Sequence, residues 1–179
     1  MLILGICGSP NKNGNTAAMI EKGLAECAAM GAETKMIYVS EAMSDLATPF
    51  CVSCSKPCEG ICLKGKKMEE VGNLIKAADG IIVGSPVYYA SANATVIAFL
   101  DRLVYSSGFD KTMKVGAAIA VARRGGCSAT FDELNKYFTI SGMPVASSTY
   151  WNSVHGMNPG EAAADEEGIA TVKNLAHNM

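Results

Sequence analysis

An α/β chain built on a doubly wound, five-stranded parallel sheet is predicted by three features of the sequence. Apolar strands and amphipathic helices alternate along most of its 179 residues. The strands are apolar throughout, the pattern of strands covered on both faces. Two of them run into loops rich in glycine, serine and proline, GSPNKNGNT and GSPVYYASANA, which break a strand before a helix.

The first strand is Leu2–Cys7, stopped by Gly8, Ser9 and Pro10. A helix runs from Asn15 to about Met30, with Ile20, Leu24 and Cys27 at near-helical spacing. Glu33–Val39 is the second strand, ended by Ser40. A polar, cysteine-rich insertion occupies about 47–67, and Met68–Ala78 returns to helix. Gly80–Gly84 is the third strand, closed by Ser85 and Pro86. Ala92–Tyr105 is helical, Lys114–Ala122 is the fourth strand and Ser128–Ser141 a further helix. Met143–Ser148 reads as the fifth strand and Gly160–Met179 as the last helix. The whole of 1–179 reads as one domain, and strand order 2-1-3-4-5 suits it.

The net charge of −2, with Lys and Arg scattered apart from Lys64, Lys66 and Lys67, argues against a nucleic-acid partner. That lysine group suits either an acidic electron carrier or a solvated loop end. No apolar segment is long enough for a membrane helix. The first ten residues lack a basic segment and a cleavage site and read better as a strand, so a cytoplasmic chain is expected. In a reducing compartment clustered cysteines point to metal or catalysis, and the odd total of seven argues against a pure disulfide framework.

Ligands of such sheets bind at the carboxyl ends of the strands, beside the switch point. Three unusual loops reach that edge. Gly8–Thr16 offers flexible backbone, short polar side chains at Ser9, Asn15 and Thr16, and the free amides of a helix N-terminus, a site for a phosphate without a basic partner. The alternative is an ordinary capped turn. The loop is neither a Walker loop nor GxGxxG. In Gly84–Ala94, Tyr88 and Tyr89 supply rings for a flat ligand. In Ala122–Cys127, Arg123 and Arg124 supply positive charge, and Gly125 and Gly126 allow close backbone approach.

Four cysteines, Cys51, Cys54, Cys58 and Cys62, fall within the stretch CVSCSKPCEGIC. Their spacing can ligate one cubane iron–sulfur cluster. Zinc is the competitor, although only Cys51 and Cys54 form a CxxC knuckle. Loop cysteines without metal are the third reading. Cys7 and Cys27 read as core residues. Cys127, beside the arginines, could be partly ionised. His155 and His177 stand alone.

GSPNKNGNT, GSPVYYASANATVIAFLDR, ARRGG and GMPVASSTYWNSVHG, in that order and spacing, resemble the flavodoxin-like NAD(P)H-dependent FMN reductase family. The cysteine stretch resembles its iron–sulfur flavoprotein branch, whose gaps are two, two and then four or more residues. Here they are two, three and three. The resemblance implies that Ser9, Asn11, Asn15 and Thr16 hold the FMN phosphate. It implies that Pro86, Val87, Tyr88 and Tyr89 line the ribityl chain and isoalloxazine, and that Ala122–Gly126, with Arg123, Arg124, Gly125 and Gly126, border the ring's polar edge. It gives Tyr150, Trp151 and Asn152 no role. A homodimer or homotetramer is also implied, in keeping with the broad apolar stripe Val96, Ile97, Phe99, Leu100, Leu103 and Val104.

No triad or paired carboxylate is needed, because the flavin carries the chemistry. The first expectation is an electron-transfer flavoprotein with FMN and a [4Fe-4S] cluster, served by a ferredoxin-like donor. The second is an NAD(P)H-dependent FMN or quinone reductase lacking a cluster, with a small-molecule electron acceptor. The third is a non-catalytic flavin-binding redox sensor.

Overall fold

The computed structural model describes residues 1–64 and 66–179; Gly65 and the side chain of Lys66 lie outside the described residues. The strands are β1 (Leu2–Cys7), β2 (Glu33–Tyr38), β3 (Gly80–Tyr88), β4 (Ser91–Ala92), β5 (Val115–Ala122) and β6 (Ser153–His155). The helices are α1 (Asn15–Ala29), the short α2 (Val39–Ala42), α3 (Lys66–Ala77), α4 (Ala94–Ser106), α5 (Cys127–Ile140) and α6 (Glu166–His177). The sheet runs β2-β1-β3-β5-β6, with β4 paired to the end of β3. All pairs are parallel except β3 with β4. Counting parallel strands alone, this is the expected 2-1-3-4-5 of a flavodoxin-like fold.

Alternation along each strand builds two cores, one on each face of the sheet. Leu4, Ile6 and Val83 pack with Val96, Phe99 and Leu103 of α4 and Ile75 of α3. Ile3, Cys7 and Ile82 pack with Ile20 and Leu24 of α1 and Val172 and Leu175 of α6. Because the chain changes faces around β1 and β3, their carboxyl ends leave a crevice between them. Gly8 N–H donates to the Gly84 carbonyl at 2.8 Å and ties the two outgoing loops together.

Two expectations are corrected. Strand β3 does not stop at Gly84. It continues to Tyr88 and folds back through Tyr89 and Ala90, both at positive φ (53° and 59°), into β4. Glu133 of α5 holds this hairpin, accepting from Ser91 Oγ at 2.9 Å and Ala92 N–H at 2.7 Å. The fifth parallel strand is Ser153–His155, not Met143–Ser148. Only Val145 of the predicted segment bridges the sheet, opposite Gly116. The chain then leaves the edge and returns at Asn152, whose carbonyl accepts from Ala120 N–H at 2.9 Å. The side-chain amide of Asn152 donates to the Ala118 carbonyl at 2.9 Å, replacing a ladder bond that main chain would otherwise make.

Candidate functional site

The sheet edge carries a hollow of about 270 Å³ in which residues from all three predicted loops meet. Ser9, Asn11, Asn15 and Thr16 line it from the first loop, Pro86, Val87 and Tyr88 from the second, and Arg123 from the third. Helix α1 begins at this hollow behind Gly14 without a side-chain cap, so the amides of its first turn keep their hydrogen-bonding capacity. Their partial positive charge points where an anion would sit.

The short polar side chains shape this loop. Ser9 Oγ accepts from Asn11 N–H at 3.1 Å, and Asn11 Oδ1 accepts from Asn13 N–H at 3.0 Å. Asn15 is committed to a fourth loop that the sequence did not single out, Gly156–Pro159. Its Nδ2 donates to the Asn158 carbonyl at 2.9 Å, and its Oδ1 accepts from Gly160 N–H at 2.9 Å and Ala162 N–H at 3.3 Å. Gly156 is required there, because an added Cβ would lie 2.8 Å from Asn15 Nδ2 and 2.6 Å from Ala162 N. Glu161 closes the same loop by accepting from the amides of Met157 and Asn158 at 2.8 and 2.9 Å. The bonds from Asn158 backbone and side chain, then from Met157, hold its carboxyl below the usual range.

Four predicted residues do not line the hollow: Tyr89, Arg124, Gly125 and Gly126. Tyr89 is fully exposed at the hairpin tip. Gly126 is structural: at φ +93° it precedes α5 and lies against Ala90, whose Cα would be 2.8 Å from an added Cβ. The Arg124 carbonyl accepts from His155 Nε2 at 3.0 Å. His155 N–H in turn donates to Asp165 Oδ2 at 2.7 Å. For Asp165 burial acts upward, but the Gly168 and His155 amides and the nearby imidazole outweigh it, and the net shift is down. Tyr150 and Trp151 are exposed and pack on each other, ring centroids 5.1 Å apart, outside the hollow.

The cysteine loop lines a second hollow. Cys51, Cys54, Cys58 and Cys62 all border one hollow of about 260 Å³, closed by Arg102, Tyr105 and Ser106 of α4. Apart from a 3-10 turn at Ile61–Leu63, the described residues from 47 to 64 form no helix or strand. Helix α4 therefore supplies the order. Arg102, only 5% exposed, donates to the carbonyls of Pro49 at 2.8 Å, Phe50 at 2.6 Å and Thr48, directly before Cys51. The thiols of Cys62 and Cys58 reach Ser106 Oγ at 3.2 and 3.6 Å. Bonds from the Gly60 amide and then Ser106 lower the Cys58 thiol below its ordinary value. Among the described residues, no three cysteine, histidine or carboxylate side chains converge closely enough to clasp a single metal ion.

The other cysteines differ. Burial pushes the thiols of Cys7, Cys27 and Cys127 up, and Cys127 Sγ donates to the Ala120 carbonyl at 3.7 Å. A buried thiol raised in this way is inert, which overrules partial ionisation of Cys127 by the arginines. A hollow of about 840 Å³ between α4 and α5 is lined, among the predicted site residues, by Cys51. No described helix is long and apolar enough to cross a membrane.

Residues 1–158 match the family model for NADPH-dependent FMN reductases. An iron–sulfur flavoprotein of Methanocaldococcus jannaschii is 34% identical, over 100% of this chain and 95% of its own length. One from Methanosarcina thermophila is 32% identical, over 100% and 93%. Among solved structures, the apo form of an NADH:FMN oxidoreductase gives a TM-score of 0.72 at 26% identity, covering 98% of this chain and 86% of that one. A flavodoxin from the domain Archaea gives 0.64 at 18%, covering 98% and 94%, a likeness of fold alone.

Proposed function

Because the chain belongs to the NADPH-dependent FMN reductase family, we propose that this FMN-binding oxidoreductase is an iron–sulfur flavoprotein, one domain that exchanges electrons between a [4Fe-4S] cluster in the cysteine loop and FMN at the sheet edge. One observation carries the finer reading: all four clustered cysteines border the same small hollow. A single zinc needs four donors converging on one point at about 2.0–2.3 Å. Four cysteines lining one hollow suit a larger inorganic group. The two curated relatives are iron–sulfur flavoproteins by name.

When bound, FMN takes electrons singly or in pairs and a cluster passes them singly. The chain's residues then have distinct roles. The first-turn amides of α1, with the Ser9 and Thr16 hydroxyls, hold the phosphate. Asn15 acts indirectly, by fixing the Gly156–Pro159 wall. Pro86, Val87 and Tyr88 border the ribityl chain and one side of the ring, with Tyr89 and Arg124 outside the hollow and free to meet a ligand projecting from it. Arg123 offsets electron density at the ring's polar edge. Cys51, Cys54, Cys58 and Cys62 hold the cluster, and Arg102 fixes where their loop begins. The donor is a ferredoxin-like protein or NAD(P)H, the acceptor a small molecule, and the assembly a cytoplasmic homodimer or homotetramer.

A second reading, an NAD(P)H-dependent FMN or quinone reductase without a cluster, is favoured by the altered cysteine spacing and by the likeness to an NADH:FMN oxidoreductase. Flavin, iron and acid-labile sulfide assays on anaerobically purified protein separate the two. The first reading expects one flavin and about four irons and four sulfides per chain. Flavin without iron leaves the second.

A further inference from the structure

We infer that Ser106 is a positioning residue for the cysteine-bound centre: its hydroxyl donates a hydrogen bond to the ligand sulfur of Cys62, with that of Cys58 as the alternative acceptor, and so raises the reduction potential of the cluster they hold. The inference rests on the cluster reading above and assigns a role to a residue outside the cysteine motif.

Three observations support it. Ser106 Oγ lies between two of the four sulfurs, 3.2 Å from Cys62 and 3.6 Å from Cys58. Its place is set by backbone: it is the last residue of α4, and its carbonyl approaches Gly60 so closely that a Cβ there would come within 2.8 Å. The same helix, one turn earlier, carries Arg102, which fixes the beginning of the loop. Cys62 and Cys58 thus meet an element that does not depend on the loop's own order. A second hydroxyl in the hollow, Ser55 Oγ, accepts from Glu59 N–H at 3.2 Å.

The direction of the bond follows from proton count. As thiols, both cysteines donate to the serine oxygen. As cluster ligands the cysteines are thiolates and have no proton to give. The serine O–H is then the donor, and the closer Cys62 sulfur is its first acceptor. A hydrogen bond to a ligand sulfur stabilises the extra negative charge of the reduced cluster, so it moves the potential upward.

The test is an anaerobic redox titration, following the electron paramagnetic resonance signal of the reduced cluster in wild type, S106A, S106T and S53A. The S53A control removes a different hydroxyl from the same hollow. S106A is expected to lower the ratio of reduced to oxidised cluster at fixed potential by roughly tenfold, a downward shift of about 59 mV for a one-electron couple. S106T and S53A are expected to titrate as wild type. An unmoved midpoint in cluster-bearing S106A, or an S106T shift as large as that of S106A, overturns the role of Ser106 and leaves the cluster reading intact. If S106A fails to retain iron, S106T decides: a wild-type midpoint supports the hydroxyl, a displaced one overturns it. Wild-type protein without iron and sulfide overturns the cluster reading and this inference together.

Discussion

The sheet edge and the cysteine loop are built in opposite ways. At the sheet edge, backbone does the positioning: strand ends fix where the loops begin, and the α1 amides face the hollow. Side chains there brace the loops, Ser9 and Asn11 within their own and Asn15 across to Gly156–Pro159. In the cysteine loop the chemistry lies in side chains, and the backbone is largely irregular. Its order is borrowed from α4 through Arg102 and Ser106. The first site is a property of the fold. The second is an insertion that one helix makes usable.

If that division is right, each site can be removed while the other is kept. The largest effect is expected from Cys54→Ser or Cys58→Ser. Each should lose most of its iron and still bind FMN, read as iron and flavin per chain; joint loss of flavin would break the separation. Next, Thr16→Asp puts a carboxylate where the phosphate is proposed to sit. FMN affinity should fall on the order of 100-fold, about 2.7 kcal/mol, in a fluorescence titration, with iron content unchanged.

Arg102→Ala removes three charge-assisted bonds to carbonyls and should cost about 3 kcal/mol in denaturant unfolding. It should also lower iron loading and leave FMN affinity within about twofold, since its partners lie before Cys51. Arg102→Lys keeps charge but loses the planar fork, so it should rescue only part. Asn15→Ala should cost about 1–2 kcal/mol and speed FMN release without touching iron content, because its bonds go to the Gly156–Pro159 side.

The smallest effect concerns Asp165, which caps α6 by accepting from Gly168 N–H at 2.9 Å and also receives the His155 amide. Its carboxyl is lowered on folding, so its contribution is complete above the unfolded value of about 3.9 and is lost as pH falls through the lower folded value. Asp165→Asn loses the negative charge at the N-terminus of α6 and should therefore be less stable than wild type by about 1 kcal/mol near neutrality. The difference should vanish in acid, once the pH lies below the lowered folded value of Asp165. A gap that persists there would assign the effect to packing.

The parts of the fold legible in the sequence are those where apolar runs meet strong breakers. Leu2–Cys7 before Gly8-Ser9-Pro10 is one, and the apolar run ending at Ala122 before Arg123 is another. Gly84-Ser85-Pro86 misled, because a Ser-Pro turn signal sits inside a strand whose Ser85 hydroxyl accepts from Asn93 N–H at 2.8 Å. Met143–Ser148 misled for a different reason. Its apolar pattern suits a strand, but the sheet edge is taken over by Ser153–His155 once Asn152 lends its amide to Ala118. That substitution of side chain for backbone has no periodic signature. Of the site, the three loops could be read because their residue types are unusual together. Gly156–Pro159 could not, since its part depends on partners 143 and more positions away in sequence. Arg102 left one usable trace: a charged residue between Leu100 and Leu103 on the buried side of α4.

FMN and an iron–sulfur cluster are proposed to occupy these two separate hollows of one chain. Anomalous diffraction at the iron edge, from anaerobically grown crystals supplied with FMN, tests it most directly. The expected result is iron scattering bordered by Cys51, Cys54, Cys58, Cys62 and Ser106, with the flavin phosphate over the first turn of α1. A lone zinc among the cysteines, no metal there, or a flavin placed away from the Ser9–Thr16 loop would contradict it.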